Sequence, residues 1–351
     1  MAKVASCNCP TKKDVFTDTS DISLDTLAQL RNPEQTDTFT PLQKGFQKRS
    51  RAKMLTDSMN FQLIDLESKL LKSYWQTYWC TRAVLQDGDK LTSRYCNQRW
   101  CLVCNRIRTA KLINGYIPSI DKLEDAQFIT LTRQTVDAVD LADTIQEMQA
   151  NFVKVKDRLR KQGIKLVGIR KIEIKYNELS GKYHPHYHLI VDGLQNAQSL
   201  VCEWVSCYSE DVCNIKAQDV RKADKNAPIE LFKYFTKMLT DSGRFYPEQM
   251  DVIFQVMKGK RTFQPFGGIK KQSEDIELDE QTNIDWLPPQ TEIWVFEDAN
   301  EFSDWYNAQG EPLSQVKMSE QTMQLRNNIL QDNDDNRQVE SKTNSPRYVP
   351  T

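Results

Sequence analysis

Apolar and polar positions change period several times along this 351-residue chain. From Leu42 to Trp79 they recur at helical spacing, which predicts one long helix. Its start carries Lys44, Lys48, Arg49, Arg51 and Lys53, and its end carries Tyr74, Trp75, Tyr78 and Trp79. Phe128 to Thr132 reads as a short strand, and Leu141 to Lys161 as a helix with a basic end at Lys154, Lys156, Arg158, Arg160 and Lys161. Between Arg170 and Tyr176 the apolar Ile172 and Ile174 alternate with Lys171, Glu173 and Lys175, the period-two signature of a half-buried strand. The turn residues Asn177 to Gly181 follow. A second strand, His184-Pro185-His186-Tyr187-His188 with Leu189, Ile190 and Val191 behind it, then completes an expected antiparallel hairpin. Further helices are expected over Leu194 to Tyr208, Ile229 to Leu239 and Pro247 to Met257.

Charge changes the picture more than composition does. The whole chain has a net charge of −1, which by itself points to no polyanionic partner. From Leu42 to Lys271, however, 38 Lys and Arg stand against 25 Asp and Glu, a net of +13, and the remaining residues carry 9 against 23, a net of −14. A basic body with acidic ends is the footprint of a phosphate-binding core between solvated tails. Four segments follow: a disordered acidic tail over 1–42, a helical module with a Cys-rich knuckle over 43–110, a basic domain of mixed helices and strands over 111–271, and an acidic, largely disordered tail over 272–351. Within that last tail, Glu292 to Phe296 and Trp305-Tyr306 predict one short ordered element near 290–306, and disorder is expected again from Gln315.

All three histidines, His184, His186 and His188, fall within five residues, and on a strand they share one face. If Tyr176 pairs with Tyr183, Glu173 lies opposite His186 on that face and completes a two-histidine, one-carboxylate site; a slip of one residue would turn it away. Mixed imidazole and oxygen ligation suits Mg²⁺ or Mn²⁺ better than a closed structural zinc. On the expected helix, Glu230, Tyr234 and Lys237 stand at i, i+4 and i+7, opposite an apolar face of Leu231, Phe232, Phe235, Met238 and Leu239. A phenol with a pKa of about 10 needs a polarised target, a cation or a base to act as a nucleophile.

Nine cysteines, an odd number with no leader-like or membrane-spanning run before them, point to reduced thiols in a cytoplasm. Cys101 and Cys104 have knuckle spacing, and with Cys80 and Cys96 they form an expected four-thiolate zinc site, the alternative being unligated core thiols. Cys202 and Cys207 are expected as buried thiols of a helix, and Cys7 and Cys9 as residues of a polar tail without a role.

The histidine strand resembles the histidine motif of the HUH endonuclease superfamily, and Phe128 to Thr132 resembles that superfamily's first motif. Glu230, Tyr234 and Lys237 are similar to the active-site helix of rolling-circle plasmid replication initiators. So are the stretches Cys96 to Cys104, with Arg106, Arg108 and Lys111, and Lys258-Gly259-Lys260-Arg261 through Phe266-Gly267-Gly268. The resemblance implies an α+β fold: an HUH domain with a central antiparallel sheet flanked by helices, preceded by the zinc module. It also implies roles. His186 and His188 would hold a divalent ion at the scissile phosphate, and Tyr234 would attack phosphorus to give a 5′-phosphotyrosine and a free 3′ hydroxyl. Glu230 would activate water or direct the second cleavage, and Lys237 would steady the tyrosine or the phosphate; the role of His184 stays open. The implied substrate is single-stranded or hairpin origin DNA. A host helicase and DNA polymerase are implied partners, because the chain has no phosphate-cradling glycine loop followed by Lys-Ser/Thr. No membrane partner is expected. A transposase or mobilisation relaxase, a zinc-dependent DNA-binding repressor and a single-strand-binding protein remain as alternatives.

Overall fold

The structure is a computed structural model that describes residues 41–88, 90–232, 237–240, 243–272 and 291–330. Its elements run α1 (Pro41–Ile64), α2 (Leu71–Tyr78), β1 (Ala83–Asp87), β2 (Lys90–Ser93), α3 (Leu102–Ile120), β3 (Ala126–Thr132), α4 (Leu141–Lys161), β4 (Gly168–Asn177) and β5 (Lys182–Asp192). Then come α5 (Leu194–Val205), β6 (Asp219–Lys222), α6 (Ala227–Phe232), α7 (Pro247–Met257), β7 (Phe263–Phe266), β8 (Glu292–Glu297) and β9 (Asp304–Tyr306). The chain forms two compact units. Among the described residues, no helix is long and apolar enough to cross a membrane.

The unit built from 107–237 and 252–276 holds a five-stranded antiparallel sheet in the order β6-β3-β5-β4-β7. Its centre is β5, the histidine strand, whose residues from His186 to Val191 have ladder neighbours on both sides. Side chains alternate across the pleat. One face buries Ile129, Leu131, Ile172, Ile174, Tyr187 and Leu189, and Met148, Phe152, Leu159 from α4 and Leu200, Trp204 from α5 are buried in the same unit. Tyr187 packs there between Phe152 and Trp204, each ring centroid 5.7 Å away. On the other face, Phe128, Ile169 and Ile190 pack with Ile120 of α3 and with Ala227, Leu231 and Phe232 of α6. The Thr109 hydroxyl donates to the Phe232 carbonyl at 3.2 Å and fixes the end of α6.

The other unit, 20–106 with 238–251 and 277–351, is built around α1. Residues 50–60 of this helix are buried on every side. The basic start of the helix therefore turns inward in part. Lys53 is fully buried, with Nζ 2.7 Å from Asp57 Oδ1 and 2.8 Å from the Tyr78 carbonyl, while Arg82 closes on the other Asp57 oxygen at 3.3 Å. Burial raises the Asp57 carboxyl, while Lys53 and Arg82 oppose that shift.

Three expectations are corrected in this unit. The single helix over Leu42 to Trp79 is two helices, because Ser68 supplies other bonds to the chain. Its hydroxyl accepts from the Leu70 N–H at 3.0 Å and donates to Asp251 at 2.6 Å. The module of 43–110 is not helical throughout: β1 and β2 form a hairpin that joins β8 and β9 in a sheet of order β2-β1-β8-β9. Nor is the segment from Gln315 to 330 disordered, since residues 320–330 are helical and Val316, Met318 and Ile329 are buried. The short ordered element expected near 290–306 is present, with Glu292–Glu297 on β1 and Trp305 packed between Phe46 and Phe296 at 5.6 and 5.0 Å. The expectations for residues 1–40, with Cys7 and Cys9, for Glu274 to Glu280 and for 331–351 lie outside the described residues.

Gly168 opens β4 between two neighbours, and a methyl there would collide with the Ile190 carbonyl oxygen across the ladder. Gly168→Ala is expected to cost about 1–3 kcal/mol. Urea denaturation measures it, and an unchanged midpoint would contradict the close approach of β4 and β5.

Candidate metal centres and active site

The β4–β5 register pairs Tyr176 with Tyr183 and Glu173 with His186, and β3 sets Thr130 beside His188 and Thr132 beside His186. Because facing residues share a side of the pleat, Glu173, Lys171, the three histidines, Thr130 and Thr132 converge on the face that also carries Phe128 and α6. The Nε2 atoms of His186 and His188 lie 3.1 Å apart. The carboxylate of Glu173 approaches them at 4.0 and 3.6 Å. Each imidazole is oriented from its far side. His186 Nδ1–H donates to the His184 carbonyl at 3.1 Å, which turns the Nε2 lone pair of His186 inward, and His188 Nδ1 lies 3.2 Å from the Thr130 hydroxyl.

Burial pushes His186 down to about 4, outweighing the attraction of Glu173, and burial with the neighbouring His186 holds His188 well below its ordinary value. Burial alone would raise Glu173. Lys171, whose Nζ sits 2.6 Å from Oε2, together with the imidazoles and Lys175 more than reverses that, so the carboxyl is held well below the usual range. At neutral pH the cluster is therefore an anion beside two neutral donors. Two nitrogens each about 2.1 Å from one ion, at an octahedral right angle, are about 3 Å apart, which matches the observed spacing. The donor set fits a small divalent ion.

His184 stands apart. Its ring stacks on His186 with centroids 5.0 Å apart, and its Nε2 bonds the Thr132 hydroxyl, so Glu173, His186 and His188 are the donors that cluster. The residue is lowered by burial and by Lys175. Glu230 lies on α6 and forms an ion pair with Arg221 at 2.7 Å, both partners partly exposed. Arg221 faces Phe128 in the β6–β3 register and its guanidinium covers that ring at 4.5 Å. The helix expected to run to Leu239 does not reach Lys237, because residues 237–240 are non-helical; Glu230 and Lys237 are not on one helical face. Tyr234 lies outside the described residues. The sequence reading passed over Lys171 and Arg221. Lys171 was detectable, since it stands two residues before Glu173 on a strand, but Arg221 depends on the long-range pairing of β6 with β3.

In the α1-centred unit, Cys80, Cys96, Cys101 and Cys104 gather with sulfur separations of 3.5 Å (Cys80–Cys104) and 3.7 Å (Cys96–Cys104 and Cys80–Cys101). Four thiolates each about 2.3 Å from a tetrahedral zinc lie about 3.8 Å apart, and a disulfide would bring two sulfurs to about 2 Å. Backbone N–H groups of Cys96 and Gln98 donate to the sulfurs of Cys80 and Cys96, both at 3.4 Å, in support of thiolate character. Trp100, between the ligands, donates through Nε1 to Thr77 at 2.8 Å and packs on Tyr74. The cluster fits zinc. Cys202 and Cys207, expected as buried thiols, are half-buried instead, because α5 ends at Val205 and its last turn opens to solvent; Cys213 is buried.

Comparison with known proteins adds what the chain is similar to. Residues 90–193 match the family described as Replication protein, a span that includes the histidine hairpin and three of the four clustered cysteines. A curated protein named Protein rep from Staphylococcus aureus is 26% identical over 160 residues, 40% of this chain and 69% of that protein. Another Protein rep, from Streptococcus pneumoniae serotype 2 (strain D39 / NCTC 7466), is 25% identical over 103 residues, 28% of this chain and 32% of that protein. No solved structure matches. The resemblance to replication initiators carried by the motifs is borne out.

Two outcomes are expected. Purified protein contains one zinc per chain by elemental analysis, and Cys101→Ser loses it together with several kcal/mol of stability; a metal-free, folded wild type would exclude the cluster as a zinc site. Mn²⁺ binding, followed by electron paramagnetic resonance, weakens at least ~10-fold in Glu173→Gln and in His188→Ala. Unaltered binding in both would remove the second centre.

Proposed function

We propose that this chain, which carries a replication protein's sequence pattern over residues 90–193, is a plasmid replication initiator that nicks one strand of origin DNA and rejoins it. The observation that carries the reading is the convergence of His186 Nε2, His188 Nε2 and Glu173 on the same sheet face against which Phe232, two residues before Tyr234, is packed. The mixed α+β unit, with the histidine strand at the centre of an antiparallel sheet and helices on both faces, is compatible with an HUH endonuclease domain.

A Mg²⁺ or Mn²⁺ ion held by His186, His188 and Glu173 would supply Lewis acidity at the scissile phosphate. The Tyr234 hydroxyl attacks phosphorus. The new bond is a 5′-phosphotyrosine, the bond to the 3′ oxygen breaks, and that oxygen leaves as a 3′ hydroxyl after taking up a proton. The ester conserves the energy of the broken link, so the 3′ hydroxyl can attack it in reverse and reseal the strand. Glu230, four residues before Tyr234 in the sequence, accepts the proton of a water or a second hydroxyl; Arg221 holds its carboxylate in place until then. Lys237 supplies a cation to the phenolate or the phosphate, from a non-helical stretch rather than the helix face expected of it. His184 orients His186 through its ring and carbonyl. Single-stranded or extruded hairpin DNA is the substrate, a host helicase and polymerase act on the product, and the setting is the cytoplasm.

With labelled origin strand and Mn²⁺, wild type is expected to form a covalent 5′ adduct that Tyr234→Phe lacks. His186→Ala and His188→Ala lower nicking ~100-fold or more while leaving DNA affinity within a few-fold, because the basic surface supplies most of the attraction. Intact DNA in a retarded complex with wild type would replace the nuclease with a zinc-dependent binding protein.

A further inference from the structure

The sheet that carries the histidines has a second feature on its opposite face. Along β4, Glu173 and Lys171 point toward the imidazoles and Arg170 points away from them, as the pleat requires. Between α4, β4 and β7 lies a cleft of about 660 Å³. Four cations line it, Lys156, Arg170, Lys260 and Arg261, and among the described residues no carboxylate does. Two are contributed by the Lys258-to-Arg261 motif, to which the nuclease reading assigns no task.

The cleft is built rather than incidental. Arg170 is buried, its guanidinium lies 4.2 Å over the Phe152 ring, and its Nε donates to Gln264 Oε1 at 2.9 Å across the β4–β7 ladder. Lys156 Nζ is 5.9 Å from the ring centroids of both Phe152 and Phe266. Burial and the charge of Arg170 depress the Lys156 amine, so the two cations are held together against their repulsion. Gly267, with φ of +70°, brings the chain after Phe266 so close to Leu166 that any side chain there would strike its carbonyl, which fixes the wall carrying Phe266. Concentrated positive charge without an acid calls for an anion, and flat rings beside it call for a planar partner.

We propose that this cleft binds a nucleotide, its phosphate on Lys156, Arg170, Lys260 and Arg261 and its base against the half-buried Phe266. A free nucleotide and a nucleotide within a DNA strand share this chemistry. The site is independent of the tyrosine reaction, because it lies across the sheet from Glu173 and needs no divalent ion.

The test titrates the full chain, without added divalent metal, with dTDP by calorimetry and with a fluorescein-labelled dT20 strand by anisotropy. It uses wild type, Lys156→Glu, Arg261→Glu and, as a control of equal charge change outside the cleft, Lys161→Glu. Loss of at least ~10-fold in affinity for either probe in both cleft variants, with a loss under ~3-fold in Lys161→Glu, supports the site. If dTDP binds and displaces the strand, or only the strand responds, the occupant is a nucleotide of DNA. If dTDP binds without displacing the strand, the occupant is a free nucleotide. Equal losses in all three variants, or no loss in the cleft variants, overturns the proposal. Failure of Tyr234 chemistry would leave each of these readings unchanged.

Discussion

A two-residue repeat imposed on one central strand governs the unit that carries the histidines. In β5, Tyr187, Leu189 and Val191 must enter the core, so His184, His186 and His188 must leave it together on the opposite side. Ladder bonds to β3 and β4 then fix what each imidazole meets: Glu173 across one edge, Thr130 and Thr132 across the other. Moving β4 by one residue would exchange Glu173 for an isoleucine and send a charge into the packed face. The hydrophobic core therefore enforces the site geometry without any residue of the site contributing to that core.

The same pleat separates the unit's two polar features. On one face are an ionised carboxylate and two imidazoles kept neutral by burial, a set of donors for a small hard cation. On the other are four cations among phenylalanine rings. Opposite charges that would pair if mixed are kept apart by a layer of backbone and apolar side chains. Lys171 is the exception that proves useful: placed on the carboxylate's side and fully buried, it keeps Glu173 ionised in surroundings that would otherwise protonate it.

The α1-centred unit solves a different problem. Its central helix is buried all round and contains Lys53 and Asp57, which are tolerable there only because they pair and because Arg82 and a backbone carbonyl satisfy what remains. Four cysteines, Cys80 just after α2, Cys96 after β2, and Cys101 and Cys104 at the start of α3, gather beside this core, and β1 and β2 lie between the first and second of them. A metal at that point would staple a unit whose chain is otherwise assembled from distant segments.

Local periodicity in the amino-acid sequence determined the elements that are regular and self-contained: Leu141–Lys161 and Pro247–Met257 as helices, the hairpin and its register, and hence Glu173 opposite His186. The cysteine spacing determined the four-thiolate cluster in the same way, since knuckle geometry is short-range. What tertiary structure alone decided are the long-range choices. It broke the Leu42-to-Trp79 pattern at Ser68, turned Lys53 inward, recruited 291–330 to the sheet of β1, brought Arg221 to Glu230 and built the cleft behind Arg170. Each of these depends on which distant segment arrives as a neighbour. Periodicity records which side of an element is buried, not what buries it, so the partners of a polar residue become visible only once the chain has closed on itself.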